Sequence, residues 1–199
     1  MAAMFVSSSL FAIDRGANMI DTAWLESGFF DNSDYYGLHI TGENLVKNSD
    51  GKWAILAGIE GGTVSVDQGS DFNSIGIELG VKYYIAPLTS IAGLGGYTWN
   101  DADNSFETGK ITARIKQRLA QPEAAVSPYL KLETALQFID IDDSDNIFVI
   151  RAMAGCEFRM SDTWALIFEG GYSESDNLDD GPDTEDGFLL RIGMQYDWE

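Results

Sequence analysis

The sequence predicts an all-β fold: a closed, antiparallel, up-and-down transmembrane β-barrel of ten strands, with eight as the alternative. Three observations carry this prediction. Large apolar side chains alternate with polar ones in segment after segment along the chain, and a period of two belongs to strands. Every other connection between these segments is acidic. No run approaches the roughly 20 apolar residues a membrane helix needs. Mean hydropathy is near neutral, as expected where outward apolar and inward polar residues cancel.

The strand candidates are 19–30, 35–46, 52–66, 74–86, 89–100, 106–119, 128–141, 147–160, 163–175 and 186–198. The first barely alternates, and the choice between ten strands and eight rests on residues 17–34. In the fourth, Ile75, Ile77, Leu79, Val81, Tyr83 and Ile85 oppose Gly76, Glu78, Gly80, Lys82 and Tyr84. The fifth is glycine-rich and less regular. In the seventh, Leu130, Leu132, Thr134, Leu136 and Phe138 oppose Tyr129, Lys131, Glu133, Ala135 and Gln137. The eighth and ninth set Phe148 to Phe158 and Trp164 to Tyr172 against faces that carry Arg151, Glu157 and Glu169. The last is the clearest: Phe188, Leu190, Ile192, Met194, Tyr196 and Trp198 share one side, with Arg191, Gly193, Gln195 and Asp197 between them.

The connections 31–34, 67–71, 101–104, 142–145 and 176–186 are rich in Asp, whereas those between them are not. Alternate connections of an up-and-down barrel lie at one end, so one rim is acidic and the other is not. Outward aromatics gather towards both ends. Trp53, Tyr83, Phe158, Trp164, Tyr196 and Trp198 lie towards the non-acidic end. Tyr36, Tyr97, Trp99, Phe138, Phe148, Tyr172 and Phe188 lie towards the acidic one. Two such girdles suit the two interfaces of a bilayer.

The formal charge is −20, from 32 acidic and 12 basic residues. That argues against nucleic acid as a partner, because a polyanion is repelled and few counterions can be released. The single Cys156 cannot form an internal disulfide, and its apolar face gives it a packing role. Residues 1–12 read as the apolar core of a secretory signal peptide cleaved after Ala12. They lack a basic leader, which points to a start that is truncated or placed too far downstream. Residues 13–199 form the barrel domain.

The candidate site is the enclosed interior. Lys82, Lys110, Arg114, Lys116, Arg118, Lys131, Arg151 and Arg191 fall on polar strand faces, as do Glu43, Glu60, Glu78, Glu133, Glu157 and Glu169. If the apolar faces meet lipid, these charges fill the lumen as a paired plug or a narrow pore. The stripe Lys110, Arg114, Lys116 and Arg118 would favour anions in a pore.

The C-terminal Arg191-Ile192-Gly193-Met194-Gln195-Tyr196-Asp197-Trp198 resembles the β-signal of bacterial outer-membrane proteins, with Gly193, Tyr196 and Trp198 at its defining positions; Glu199 departs from the usual terminal aromatic. With the signal-like start and the whole-length meander, the chain resembles small outer-membrane β-barrels of the OmpA/OmpX-like superfamily. The resemblance implies residence in the outer membrane of a Gram-negative bacterium, contact with its lipid and lipopolysaccharide, and assembly by the barrel-assembly machinery.

The expected function is structural or narrow-pore (porin-like), without cofactor or catalysis, and with acidic extracellular loops. A surface adhesion or ligand-binding barrel and a soluble lipocalin-like barrel are the alternatives. An outer-membrane protease or lipid-modifying enzyme is weaker, since only His39 offers a base of the required kind. Divalent cations are candidate partners of the acidic loops, although neither Asp140–Asp145 nor the run from Asp176 has the spacing of an EF-hand.

Overall fold

A computed structural model describes residues 19–30, 33–45, 52–66, 71–101, 105–121, 124–140, 145–178 and 186–197. They form ten strands: β1 (Met19–Phe30), β2 (Ser33–Leu45), β3 (Trp53–Val66), β4 (Phe72–Ala86), β5 (Thr89–Asp101), β6 (Phe106–Arg118), β7 (Val126–Asp140), β8 (Asp145–Arg159), β9 (Trp164–Asn177) and β10 (Gly187–Asp197). Each strand pairs antiparallel with its chain neighbours, and β1 also pairs with β10, so the sheet closes. Closure leaves no strand of the described sheet with an unpaired edge.

The β1–β10 seam runs from Ile20↔Asp197 to Phe30↔Gly187. At its acidic end the two backbones approach closely. A Cβ on Gly187, whose φ is +156°, would fall 2.0 Å from the Phe29 carbonyl oxygen. Ten strands are therefore realised, and residues 17–34 contribute the closing strand. Signal-like residues 1–12 and Trp198 of the C-terminal pattern lie outside the described residues.

The non-acidic end has short turns. Pro87 and Leu88 alone join β4 to β5, next to a register shift between Tyr84 and Ala86. Between β8 and β9, the Ser161 hydroxyl accepts from the Trp164 backbone N–H at 3.1 Å, and the Met160 N–H donates to the Trp164 carbonyl at 2.8 Å. The first residue of β1 and the last of β10 share this end, because the strand number is even.

Side-chain alternation divides outside from inside. Leu25, Ile75, Leu79 and Phe188 are 66, 64, 63 and 65 % exposed, whereas Glu78, between Ile77 and Leu79, is 5 % exposed. The soluble alternative, with apolar faces turned inward, is reversed in this arrangement. Outward aromatic pairs mark both ends of the belt. Trp53–Tyr83 and Trp164–Tyr196 stand at 4.6 and 4.4 Å towards the short turns. Phe29–Tyr36, Tyr97–Trp99 and Tyr172–Phe188 stand at 6.0, 4.9 and 5.5 Å towards the acidic connections.

Candidate functional site: a salt-bridged lumen

Each predicted lumen charge sits on the inner side of its strand, because the inward positions of a strand recur every second residue. Three glutamates organise the network. Glu133 of β7 accepts from Arg114 Nε of β6 at 2.7 Å and from Arg151 of β8 at 2.8 Å. Glu157 of β8 accepts from Lys116 at 2.6 Å and from Arg118 at 3.0 and 3.1 Å. Glu169 of β9 accepts from Lys131, from the Tyr129 hydroxyl at 2.8 Å and from Arg191 at 3.1 Å. Successive strands thus each place one buried carboxylate between two cations.

Further pairs span the interior. Lys110 of β6 reaches Glu60 of β3 at 3.2 and 3.3 Å, and Thr98 donates to the same carboxylate at 3.0 Å. Lys82 donates to Glu43 at 2.7 Å, with Tyr84 on the other oxygen. His39 meets Glu78 at 3.1 Å. The Lys116 ammonium also lies 3.8 Å from the centre of the Tyr129 ring, a cation–π contact.

Among the described residues, cavities of two sizes line the interior. One of about 410 Å³ opens towards the acidic end. A smaller one of about 150 Å³ lies towards the short turns. His39, Glu78, Arg114 and Arg191 line both, so these four side chains form the layer between them. The basic stripe of β6 is paired: Lys110, Arg114, Lys116 and Arg118 all have glutamate partners.

Comparison with solved structures gives a fold and no more. The barrel is similar to the β domain of the Bordetella autotransporter BrkA, with a TM-score of 0.55 at 10 % identity; the match covers 92 % of this chain and 99 % of that one. It is also similar to the translocator domain of the autotransporter NalP from Neisseria meningitidis, with a TM-score of 0.53 at 14 % identity, covering 98 and 95 % of the two chains. What is shared is the closed antiparallel barrel. No family model and no curated protein matches the sequence, so the specific likeness to the OmpA/OmpX-like superfamily has no such match behind it.

Sequence reasoning missed Glu26. It lies on the inner side of β1, and Arg191 donates to it through Nε at 2.9 Å and a terminal nitrogen at 3.0 Å. Arg191 therefore bridges Glu26 of β1 and Glu169 of β9 from its place on β10, which clamps the closing seam from inside. The available signal was a charge-bearing position in a strand required for closure. It was hidden because the inner face of β1 also carries Trp24 and Phe30. Of the β-signal positions, Gly193 is buried beside Trp24, where a Cβ would fall 2.7 Å from the Ala23 carbonyl oxygen. Tyr196 packs at a tilt against Trp164. The acidic connections fall largely outside the described residues, so the expected divalent-cation positions fall there too.

Proposed function

We propose that this protein is an outer-membrane β-barrel of the Gram-negative envelope, non-enzymatic, with a lumen closed by salt bridges and a structural role. The observation that carries this reading is the pairing of the four β6 cations with Glu60, Glu133 and Glu157. An ion entering the layer must displace a charge already neutralised at hydrogen-bond distance, and removing one partner of a buried pair is strongly unfavourable. The exposed apolar belt supports lipid as the surrounding medium. The short turns and the strand ends beside them would face the periplasm, and the acidic connections the exterior. An OmpA/OmpX-like ancestry, assembly through Gly193, Tyr196 and Trp198, and contact with lipopolysaccharide belong to the same proposal. Catalysis does not, since His39 is engaged by Glu78 and serves as an interior hydrogen-bonding group.

Planar-bilayer recording of refolded protein tests the reading. The native chain should give no discrete conductance steps. The variant with Lys110, Arg114, Lys116 and Arg118 all replaced by Gln, with its heat-modifiable gel mobility retained, should stay silent or conduct cations through the freed glutamates. Anion-selective steps from the native chain, lost in that variant, would establish a narrow porin instead.

A further inference from the structure

Around the smaller cavity, hydrogen-bond donors outnumber acceptors. Glu43 is taken on both oxygens by Lys82 and Tyr84, and Glu169 by Lys131, Arg191 and Tyr129. Among the described residues, Glu78 is the one lining carboxylate with an oxygen that no protein group meets, and it lies further along β4 than Lys82, towards the acidic end. The donors are less fully used. Arg114 gives its Nε to Glu133, while its terminal N–H groups meet no acceptor among the described residues. Lys82 and Lys116 each donate to a single carboxylate, which leaves ammonium N–H groups over. Ser90 is only 8 % exposed, lines the cavity, and has no hydrogen-bond partner for its hydroxyl among the described residues.

The strand register gathers these donors round one spot. Lys82 of β4, Ala92 of β5 and Arg114 of β6 lie side by side, and next to them, towards the short turns, come Tyr84, Ser90 and Lys116. All six line the cavity. Ala92 and Ser90 are small, so β5 offers a hollow flanked by cations on both sides. Strands stand about 4.8 Å apart, which sets the Lys82 and Arg114 backbones within reach of one ion through their long side chains. The cations face the cavity and their carboxylates stand behind. Lys82, Arg114 and Lys116 are 17, 23 and 22 % exposed at their side chains, against 11, 4 and 9 % for Glu43, Glu133 and Glu157. Lys116 is also within range of the like charges of Lys82 and Arg118. Water or a neutral ligand would accept the spare hydrogen bonds but relieve no repulsion between cations, and a cation would add to it. We propose that the smaller cavity holds a small inorganic anion over Ser90 and Ala92, bound by the Lys82 and Lys116 ammonium groups, the terminal N–H groups of Arg114 and the Ser90 hydroxyl. Its volume of about 150 Å³ is several times the roughly 30 Å³ share of one liquid water, so a chloride or a tetrahedral oxyanion fits. The ion's role as a fixed counter-ion rests on the closed-lumen reading; its binding does not.

Thermal unfolding of the full refolded protein in uncharged maltoside micelles, followed by tryptophan fluorescence, tests it. Potassium gluconate, with its bulky anion, holds the ionic strength constant while potassium chloride or potassium phosphate replaces it stepwise. The midpoint should rise and then saturate, as for a ligand bound by the folded chain alone; the ion that saturates at the lower concentration is the occupant. Ser90→Ala should need several-fold more of it. Ala92→Glu supplies a carboxylate from the wall, so it should unfold in gluconate no earlier than the native chain and lose its response to both ions. Ala92→Gln, of similar shape without the charge, should unfold earlier than Ala92→Glu. The proposal is overturned if the native chain shows no saturable response, or if Ala92→Glu responds as the native chain does, which is a general salt effect. It is overturned equally if Ala92→Glu is the less stable of the two Ala92 variants, because a carboxylate buried without spare cations is costly. If neither Ala92 variant folds, the native titration and Ser90→Ala still decide. Planar-bilayer recording separates the two readings: anion-selective steps would sink the closed lumen and leave the bound ion, whereas a silent barrel without an anion response would do the reverse.

Discussion

Replacing Glu133 by Gln is the sharpest test of the ionic lumen. The carboxylate is 3 % exposed, and its two oxygens are divided between Arg114 at 2.7 Å and Arg151 at 2.8 Å. Gln keeps the shape and one acceptor but removes the charge, and it turns an NH₂ group towards one guanidinium. Each guanidinium–carboxylate attraction is about 4 kcal/mol at 4 Å with an effective dielectric of about 20. Part of the loss is returned, because a neutral amide is cheaper to bury than a carboxylate. Arg114 is 23 % exposed at its side chain, and both cations border the larger cavity, where water can screen them. The expected loss is therefore about 3 kcal/mol, at the lower edge of the range for breaking a buried pair. Urea unfolding in lipid vesicles, followed by tryptophan fluorescence and extrapolated linearly, measures it. The triple variant Glu133→Gln/Arg114→Met/Arg151→Met should recover most of the loss, since no charge is then left uncompensated. A single-variant loss below about 1 kcal/mol would show that lumen water screens these charges, and the plug argument would fail with it.

Three further outcomes follow from the same geometry. Leu79→Arg places a cation on the outward belt and should cost about 2–4 kcal/mol in vesicles if Leu79 lies near the bilayer midplane; a neutral result would mean that this face does not meet lipid. Gly155→Val puts a Cβ 2.3 Å from the Tyr129 ring, which must leave its place over Gly155 and its bond to Glu169. A loss of about 1–3 kcal/mol is expected, as for other overpacked interiors, and a larger one than for Tyr129→Phe, which removes only the hydroxyl; the reverse order would refute the packing role of the ring. Arg191→Met strands Glu26 and leaves Glu169 with one fewer partner across the closing seam. It should lower the temperature at which the folded gel band is lost by more than Lys82→Met does, because among the described residues Lys82 has Glu43 as its one carboxylate partner.

The outside of this barrel was legible and parts of its inside were not, for one physical reason. The bilayer proposed to surround the barrel imposes a uniform demand, and outward positions such as Ile75, Leu79, Leu190 and Ile192 are apolar, so the period of two stands out. The interior makes several demands. Midway along the strands it takes charges, and there Lys82, Glu133 and Arg191 alternate plainly with outward apolar residues. At the acidic mouth it takes Phe72, Phe106, Ile139 and Ile147, so both faces are apolar and the pattern loses its contrast where the larger cavity forms. β1 shows the same effect, with Trp24 and Phe30 inward beside Glu26.

Partner choice is a further step removed from sequence. Arg114 and Glu133 face each other in the β6–β7 register, which pairing rules could have suggested. Lys110 and Glu60 sit on strands separated by two others. They meet only because the sheet curls until β3 and β6 are within reach of a lysine side chain. That contact depends on the radius, which depends on strand number and stagger, and strand number depended on the weakly patterned β1. The least legible strand therefore fixes the curvature that decides which lumen charges find one another.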